Sequence, residues 1–570
     1  MSHARLARAV SAMTLVLASG AAFAQSSLGV GGPGAETPAT GPRRPVYPEG
    51  VAVPRSMTAE ERAWVALHPI SAPSGRAVTS PLGPVQCVAE YEPMSGIVFA
   101  WEGDSSQQAI QKAMIENITT VGDADAWISV DSTTEQTSVQ SVFASSSANT
   151  ARIKYVVRTT DSIWIRDYGP RYIYEGDVRA IVDHTYNRPR PNDNAFNAFY
   201  GGTTRRHKVY ALPLVHGGGN FHLDANDNGH ATRLINNENP GLTESQIKGY
   251  WQQYQSLDTT LYTPFPTSVD STQHIDMWMQ IIADDKIVIS DWPAQPGTTQ
   301  DVICDNAAAA FASAGWTVYR TPARTVGGTH YTYTNVVMCN DLVLVPTYTN
   351  STISGAEYNT QALNAYTSAL PGKTIVGVNC QGIVSLAGVM HCIVMHIPEH
   401  KGGSSPTVYV QHPMGGEAFA QGQSVSIDWI ADDDVLPTQA TITLSTDGGV
   451  TFPTTIVAST VHDGQHNWVT PAVDTDEAVI KVTVRDGPGN TGSFMTAPFT
   501  IGNPPDCGAD YNGTGDEGDV LDFLDFMDDF GACVNTAAPC GSIGDPDFNG
   551  DTMIDVLDFL DFIDAFGIGC

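Results

Sequence analysis

Between about Val85 and His400, strand-forming strings alternate with helical phrases, and this alternation constrains the chain more than any other feature. Arg152-Ile-Lys-Tyr-Val-Val157, Lys286-Ile-Val-Ile-Ser290 and Leu342-Val-Leu-Val-Pro346 have the apolar, β-branched make-up of strands. Ser105 to Ile118, Thr243 to Tyr254, Asp301 to Ala314 and Asn359 to Leu370 have the periodicity of helices. Strands interleaved with helices predict an α/β domain, placed over residues 81–402.

The flanks read differently. Residues 1–24 have basic Arg5 and Arg8, an apolar run from Ala12 to Phe23 too short to span a bilayer, and a small-x-small site at Ala22-Phe23-Ala24. They predict a cleaved signal peptide, an extracytoplasmic protein and permission for disulfides. Residues 25–80, rich in Gly, Pro, Ser and Ala, read as a low-complexity linker with little core and one helical phrase at Thr58 to Leu67. Residues 403–503 carry short strands at sandwich spacing, such as Ser424-Val-Ser-Ile-Asp-Trp429 and Val479-Ile-Lys-Val-Thr-Val484, separated by turns such as Asp486-Gly-Pro-Gly. They predict an immunoglobulin-like β-sandwich serving as a spacer.

Residues 504–570 contain a repeat. Asp519-Val-Leu-Asp-Phe-Leu-Asp-Phe recurs from Asp555, each copy preceded by an acidic, Gly-bearing loop. In the second loop Asp547, Asn549, Asp551, Asp555 and Asp558 supply oxygens at the spacing a Ca²⁺ ion requires, with Thr552 at the place of the turn glycine. The first loop offers Asp510, Asn512, Asp519 and Asp522 with one extra residue. From Cys507 onward there is no Lys or Arg, so repulsion favours a divalent ion. The module resembles dockerin Ca²⁺ repeats, which implies structural Ca²⁺ and a protein partner. The apolar face expected to join its helices is Val556, Phe559, Leu560, Ile563 and Phe566 against Val520, Phe523, Leu524 and Met527.

Charge and cysteines narrow the function. The 61 acids against 28 Lys and Arg give a net charge of -33, which excludes a nucleic-acid or anionic-membrane binder. No later run has the length of a membrane span. Cys507, Cys533, Cys540 and Cys570 can pair within the tail, whereas Cys87, Cys304, Cys339, Cys380 and Cys392 are odd in number and leave a free thiol in the body. Zinc-helix, serine-elbow and phosphate-loop motifs are missing. The stretch from His216 to His230, with Asp224, reads as turns bounding strands rather than as a metal site.

Four phrases share one chemistry: Trp164-Ile-Arg-Asp167-Tyr-Gly-Pro, His274-Ile-Asp276, Asn335, and Met390-His391-Cys392. On a strand, the spacing of His274 and Asp276 puts both on one face. In this order they resemble the guanidino-modifying deiminases, the five-bladed α/β propellers called penteins, and within these the bacterial-type peptidylarginine deiminases, with agmatine deiminase as a sister branch. The resemblance runs from Val88-Ala-Glu-Tyr-Glu-Pro-Met to near His396 and includes Gly-Gly-Asn220. It implies that Asp167 and Asp276 hold a planar guanidinium by paired, charge-assisted bonds. Cys392 then adds to its carbon, His274 acts as acid and base, and Asn335 positions the nucleophile. Catalysis needs no cofactor or metal. Trp164 belongs with the substrate contacts.

Tyr186-Asn-Arg188-Pro-Arg190-Pro holds two arginines between prolines. The same phrase marks the peptidylarginine branch, where the pair captures a substrate's C-terminal carboxylate; Ser271 stands where that branch tends to have tyrosine. The expected substrate is therefore arginine in a peptide, above all at its C-terminus, converted to citrulline and ammonia. Agmatine deimination is the alternative, and an inactive surface scaffold is the reading from another class.

Overall fold

A computed structural model of the protein describes residues 43–72, 79–502, 511, 520–534, 536–537, 546–547 and 552–568. Residues 1–24, Asp510, Asn512, Asp519, Asn549 and Asp551 lie outside these, as does the side chain of Asp522. No described helix is long and apolar enough to cross a membrane.

Among the described residues, the body holds five sheets of three or four strands and one small hairpin. Sheets repeat one order: an antiparallel pair, then a connection, usually helical, then a parallel strand. Met279–Ala283 and Lys286–Asp291 are antiparallel, the helix Thr299–Ser313 follows, and Thr317–Pro322 returns parallel to Lys286–Asp291. Val337–Cys339, Leu342–Thr347, Tyr358–Ala369 and Thr374–Asn379 do the same. The last body strand, Met395–Pro398, pairs antiparallel with Met94–Ala100 near the body's start and so joins the two ends of the domain. The largest apolar core lies between these strands and the helices Ser105–Thr120 and Tyr358–Ala369. All four expected body helices form, each within two residues of its expected ends.

The repeat has a consequence for chemistry. Asp167, Gly219, Asp276, Asn335 and Cys392 each sit in the turn entering a sheet, within four residues of that sheet's leading strand: Arg171–Glu175, His222–Leu223, Met279–Ala283, Val337–Cys339 and Met395–Pro398. Two expectations are corrected here. His274 and Asp276 do not lie on a strand; Ile275–Met277 is a 3₁₀ turn. Met390-His391-Cys392-Ile-Val, which reads as the start of a strand, instead places Cys392 in the turn His391–Ile393, before the strand Met395–Pro398. A turn can aim alternate side chains at one point without the pairing constraints of a ladder.

The linker expected over residues 25–80 is also corrected where it is described. Residues 44–72 lie on the body, with the short helix Ala59–Val65 closed by a capping box between Thr58 and Glu61. Arg55 and Glu61 are fully buried. We call this segment the strap.

Residues 407–501 form two packed sheets around their own core, with Trp429, Ile442 and Val482 buried. This unit is fixed to the body by more than chain continuity. Asp432 accepts from Arg179 Nε at 2.5 Å and lies 2.7 Å from His207 Nε2, all three buried. Asp432→Ala leaves a buried guanidinium without its main partner, so it should cost about 3–5 kcal/mol; thermal unfolding of the full chain measures this.

In the tail, the helices Val520–Cys533 and Val556–Ile568 pack through Phe526 and Phe562, whose rings stack at 3.9 Å, and through Phe530 and Phe559. The expected face is met in part: Phe559 joins the contact, whereas Leu524, Met527, Val556 and Leu560 are exposed. Aromatic rings remove more apolar area from water than Leu or Val, and they set the contact. Cys533 is disulfide-bonded, and all five body cysteines are free and buried.

Candidate active site

The turns converge on one guanidinium, and it belongs to the chain itself. Arg55 donates from Nε and Nη2 to Asp167 Oδ2 and Oδ1 at 2.9 and 2.8 Å. It donates from Nη1 and Nη2 to Asp276 Oδ1 and Oδ2 at 3.1 and 3.0 Å. Nη1 also lies 2.6 Å from Cys392 Sγ. Both carboxylates are therefore bidentate, the geometry in which a planar cation is held strongly and in one orientation. Arg55, Asp167, Asp276 and Cys392 are all fully buried.

Burial dominates the electrostatics of each group. Burial alone would raise the Asp167 carboxyl, but Arg55 and His274 outweigh it and hold it well below the ordinary carboxylate range. Burial likewise works against ionised Asp276, and Arg55 with His391 keeps its carboxyl low. Burial pushes the Cys392 thiol well above its usual value; Arg55 opposes the rise, and the two aspartates add to it.

The other expected residues lie around these groups. His274 Nδ1 lies 3.4 Å from Asp167 Oδ1, and its Nε2 makes no hydrogen bond. Asn335 Nδ2 donates to Cys392 Sγ at 3.2 Å, and its Oδ1 accepts from the His391 amide at 3.0 Å. Trp164 is buried, and its Nε1 donates to the Val53 carbonyl at 2.8 Å. Arg188 and Arg190 do not share one carboxylate. Arg188 Nε donates to the carbonyl of Arg55 at 3.0 Å, while Arg190 donates to Glu61 at 2.8 Å and to the Pro54 carbonyl at 2.7 Å.

Four contributors were not singled out by sequence reasoning. Arg55 lies in a segment whose composition hides it. Gly219 forms the floor: its amide donates to Asp167 Oδ1 at 3.1 Å, and an added Cβ would stand 1.7 Å from Arg55 Nη2. His391, beside the thiol, lies between Asp276 Oδ2 at 3.1 Å and Glu90 Oε2 at 2.9 Å. Glu90 in turn accepts from Arg166 Nη1 at 2.5 Å, so Asp276 is held by a chain of hydrogen-bonded side chains. The Gly-Gly-Asn, Arg-Asp and His-Cys phrases were the available signals; their partners are visible only in three dimensions.

Glu90, His222 and His391 present donor atoms within 4.8 Å of one another. Glu90 is ion-paired to Arg166 and His391 is shared between two carboxylates, whereas His222 Nε2 is buried without a hydrogen-bond partner. The His216–His230 stretch supplies strand residues, as expected.

The model of one family, described as Porphyromonas-type peptidyl-arginine deiminase, matches residues 86–398, which contain every catalytic candidate. The chain belongs to that family. It is thus a guanidino-modifying deiminase, a hydrolase of amidine C–N bonds. A relative from Streptomyces avermitilis named for agmatine deiminase is 26% identical over 276 residues, 44% of this chain and 78% of its own. One from Photobacterium profundum with the same name is 22% identical, over 55% of this chain and 95% of its own. The solved agmatine deiminase of Enterococcus faecalis is 18% identical, with a TM-score of 0.49 over 58% of this chain and all of that one. The family match ends at residue 398, before the strand Thr407–His412 begins.

Proposed function

We propose that this deiminase hydrolyses the guanidinium of arginine in peptides to a ureido group and ammonia. The observation that carries the reading is the Arg55 guanidinium, held by Asp167 and Asp276 at the Cys392 thiol. A substrate arginine there has its carbon oriented by two fixed carboxylates. The Cys392 thiol gives its proton to His274 Nε2 as Sγ bonds to that carbon; a terminal C–N bond then breaks, and His274 passes that proton to the departing nitrogen. The resulting thiouronium is attacked by water, His274 takes the water's proton, and the C–S bond breaks to return the thiol. Asn335, bonded to Sγ, fixes the nucleophile. The five sheets, each feeding one turn into the site, support the five-bladed propeller reading.

Peptide arginine is preferred over agmatine because Arg188 meets a main-chain carbonyl, which agmatine lacks. In a C-terminal arginine a carboxylate replaces that carbonyl, and the bond becomes charge-assisted. Peptides ending in arginine should exceed their amidated forms by roughly ten- to a hundred-fold in kcat/KM, about 1.5–3 kcal/mol. Arg188→Ala should close most of that gap. Ammonia release measured over the peptide pairs and agmatine tests this, and faster turnover of agmatine than of any peptide contradicts it.

In the tail, Ca²⁺ is the ion its donor set fits: all-oxygen ligands, with Thr552 at φ 75° where such loops take glycine. Asp547 Oδ2 accepts from the Thr552 amide at 2.9 Å, and Asp558 Oδ2 from the Asp555 amide at 2.8 Å, which shapes the loop. The signal-like residues 1–24 support an exported enzyme, and the dockerin-like repeat supports a protein partner for the tail.

A further inference from the structure

We propose that the strap is a built-in pseudosubstrate: residues 53–55 lie in the site as a peptide substrate lies, and Arg55 keeps the full chain latent until the strap leaves. The inference rests on the guanidinium reading above and adds that the first occupant of the site is the protein's own arginine.

The strap is held as a peptide, not merely as a cation. Three successive carbonyls, those of Val53, Pro54 and Arg55, accept from Trp164, Arg190 and Arg188. The Arg55 amide donates to the Leu386 carbonyl at 2.9 Å. The arginine stem passes Gly388, where an added Cβ would stand 2.4 Å from the Trp164 ring and 3.1 Å from Arg55 Cδ. A body side chain thus reads the main chain on both sides of the inserted arginine. Beyond it, Ser56 and Met57 line one side of a cleft of ≈ 630 Å³ whose other walls include Arg188 and Ser271. The helix after Arg55 supplies a second anchor: Glu61, paired with Arg190 and accepting from Tyr47 at 2.9 Å.

The geometry is that of an inhibitor rather than of a reacting substrate. Nη1 donates a hydrogen bond to Cys392 Sγ, so the sulfur is engaged with an N–H group of the guanidinium rather than with its carbon. Attack on a planar carbon requires approach over its face. The strap also seals Asp167, Asp276 and Cys392 from water, which the second half of the reaction consumes. An external arginine must displace Arg55 from the same two carboxylates. Occupancy in cis therefore lowers apparent affinity by the fraction of molecules that are open.

The test uses the full chain in three forms: wild type, Arg55→Ala, and Glu61→Gln, which loosens the second anchor and leaves Arg55 and the catalytic residues unchanged. Two readouts are taken: the rate of Cys392 alkylation by iodoacetamide, mapped by peptide mass with the four other buried body cysteines as reference, and KM and kcat for ammonia release from an arginine peptide. Arg55→Ala should be alkylated at Cys392 on the order of tenfold faster or more, and its KM should fall by a similar factor with kcat little changed; Glu61→Gln should lie between. Should Arg55→Ala fail to fold, Glu61→Gln carries the same comparison. Equal alkylation rates and equal KM in all three forms would overturn the latch while leaving the deiminase reading intact. Recovery of Arg55 as citrulline from the wild type would overturn it as well, because the arginine would then be a substrate. Fast alkylation of Arg55→Ala without ammonia release from any guanidinium would support the latch and remove the proposed function.

Discussion

Cys392→Ala is expected to reduce ammonia release to background while the protein keeps its fold. In other covalent hydrolases, loss of the nucleophile costs on the order of a million-fold in kcat, and here no second thiol stands ready. Cys380 lies at the end of a different sheet, its thiol beside the Val378 carbonyl, and burial pushes it well above its usual value. The substitution removes a buried sulfur; its partners Arg55 and Asn335 retain their other bonds to Asp167, Asp276 and the His391 amide, and only the Val389 amide, 3.4 Å from Sγ, loses its acceptor. Thermal stability should change far less than activity, and circular dichroism with an ammonia assay separates the two. Ammonia release near the wild-type rate would remove Cys392 from the mechanism.

Gly219→Ala is expected to be nearly as damaging, for a steric reason. The added methyl would stand 1.7 Å from where the guanidinium places Nη2 and 2.7 Å from Asp276 Oδ2. The clash is with the space that substrate must fill, and the Asp276 and Asp167 carboxylates, 2.7 and 2.9 Å from the added methyl, are themselves held by hydrogen bonds to His391 and to the Gly219 amide. Misplacing a bound group by about 1 Å can cost a hundred-fold, and exclusion of the guanidinium should cost at least about that in kcat/KM. Because Arg55 is excluded too, Cys392 should be alkylated faster in Gly219→Ala even as turnover collapses. Unchanged kcat/KM in a folded Gly219→Ala protein would show that the substrate guanidinium binds elsewhere than Arg55 does.

The parts of this site differ in how far the sequence reveals them. The body's strands and helices follow from local composition, because most of each sheet comes from strands close together in the chain; the long-range pairings, Met395–Pro398 with Met94–Ala100 and Val85–Cys87 with Arg171–Glu175, are the parts that composition does not show. The carboxylates, histidine and thiol stand out because a guanidinium demands those residue types. What is hidden depends on long-range contact. Arg55 lies 112 residues from Asp167 and 337 from Cys392, in a stretch whose Gly, Pro and Ser content suggests a linker. The Thr58-x-x-Glu61 capping box marks a helix start, but nothing local shows that Glu61 meets Arg190. His274-Ile-Asp276 satisfies strand spacing equally well on paper; only the neighbouring strand at Met279 shows that the pair belongs to the turn before it. In the tail, two apolar stripes on each helix compete, and the stacking of Phe526 on Phe562 selects between them.

The most direct test of the central claim is the stoichiometry and oxygen source of the product. An arginine peptide is incubated with the full chain and with Arg55→Ala in water enriched in ¹⁸O, and ammonia and peptide mass are measured together. A deiminase acting through Cys392 releases one ammonia for each ureido group formed, and the ureido oxygen carries the ¹⁸O label. Absence of ammonia in both proteins across arginine peptides, free arginine and agmatine, or a ureido product without solvent oxygen, would contradict the account.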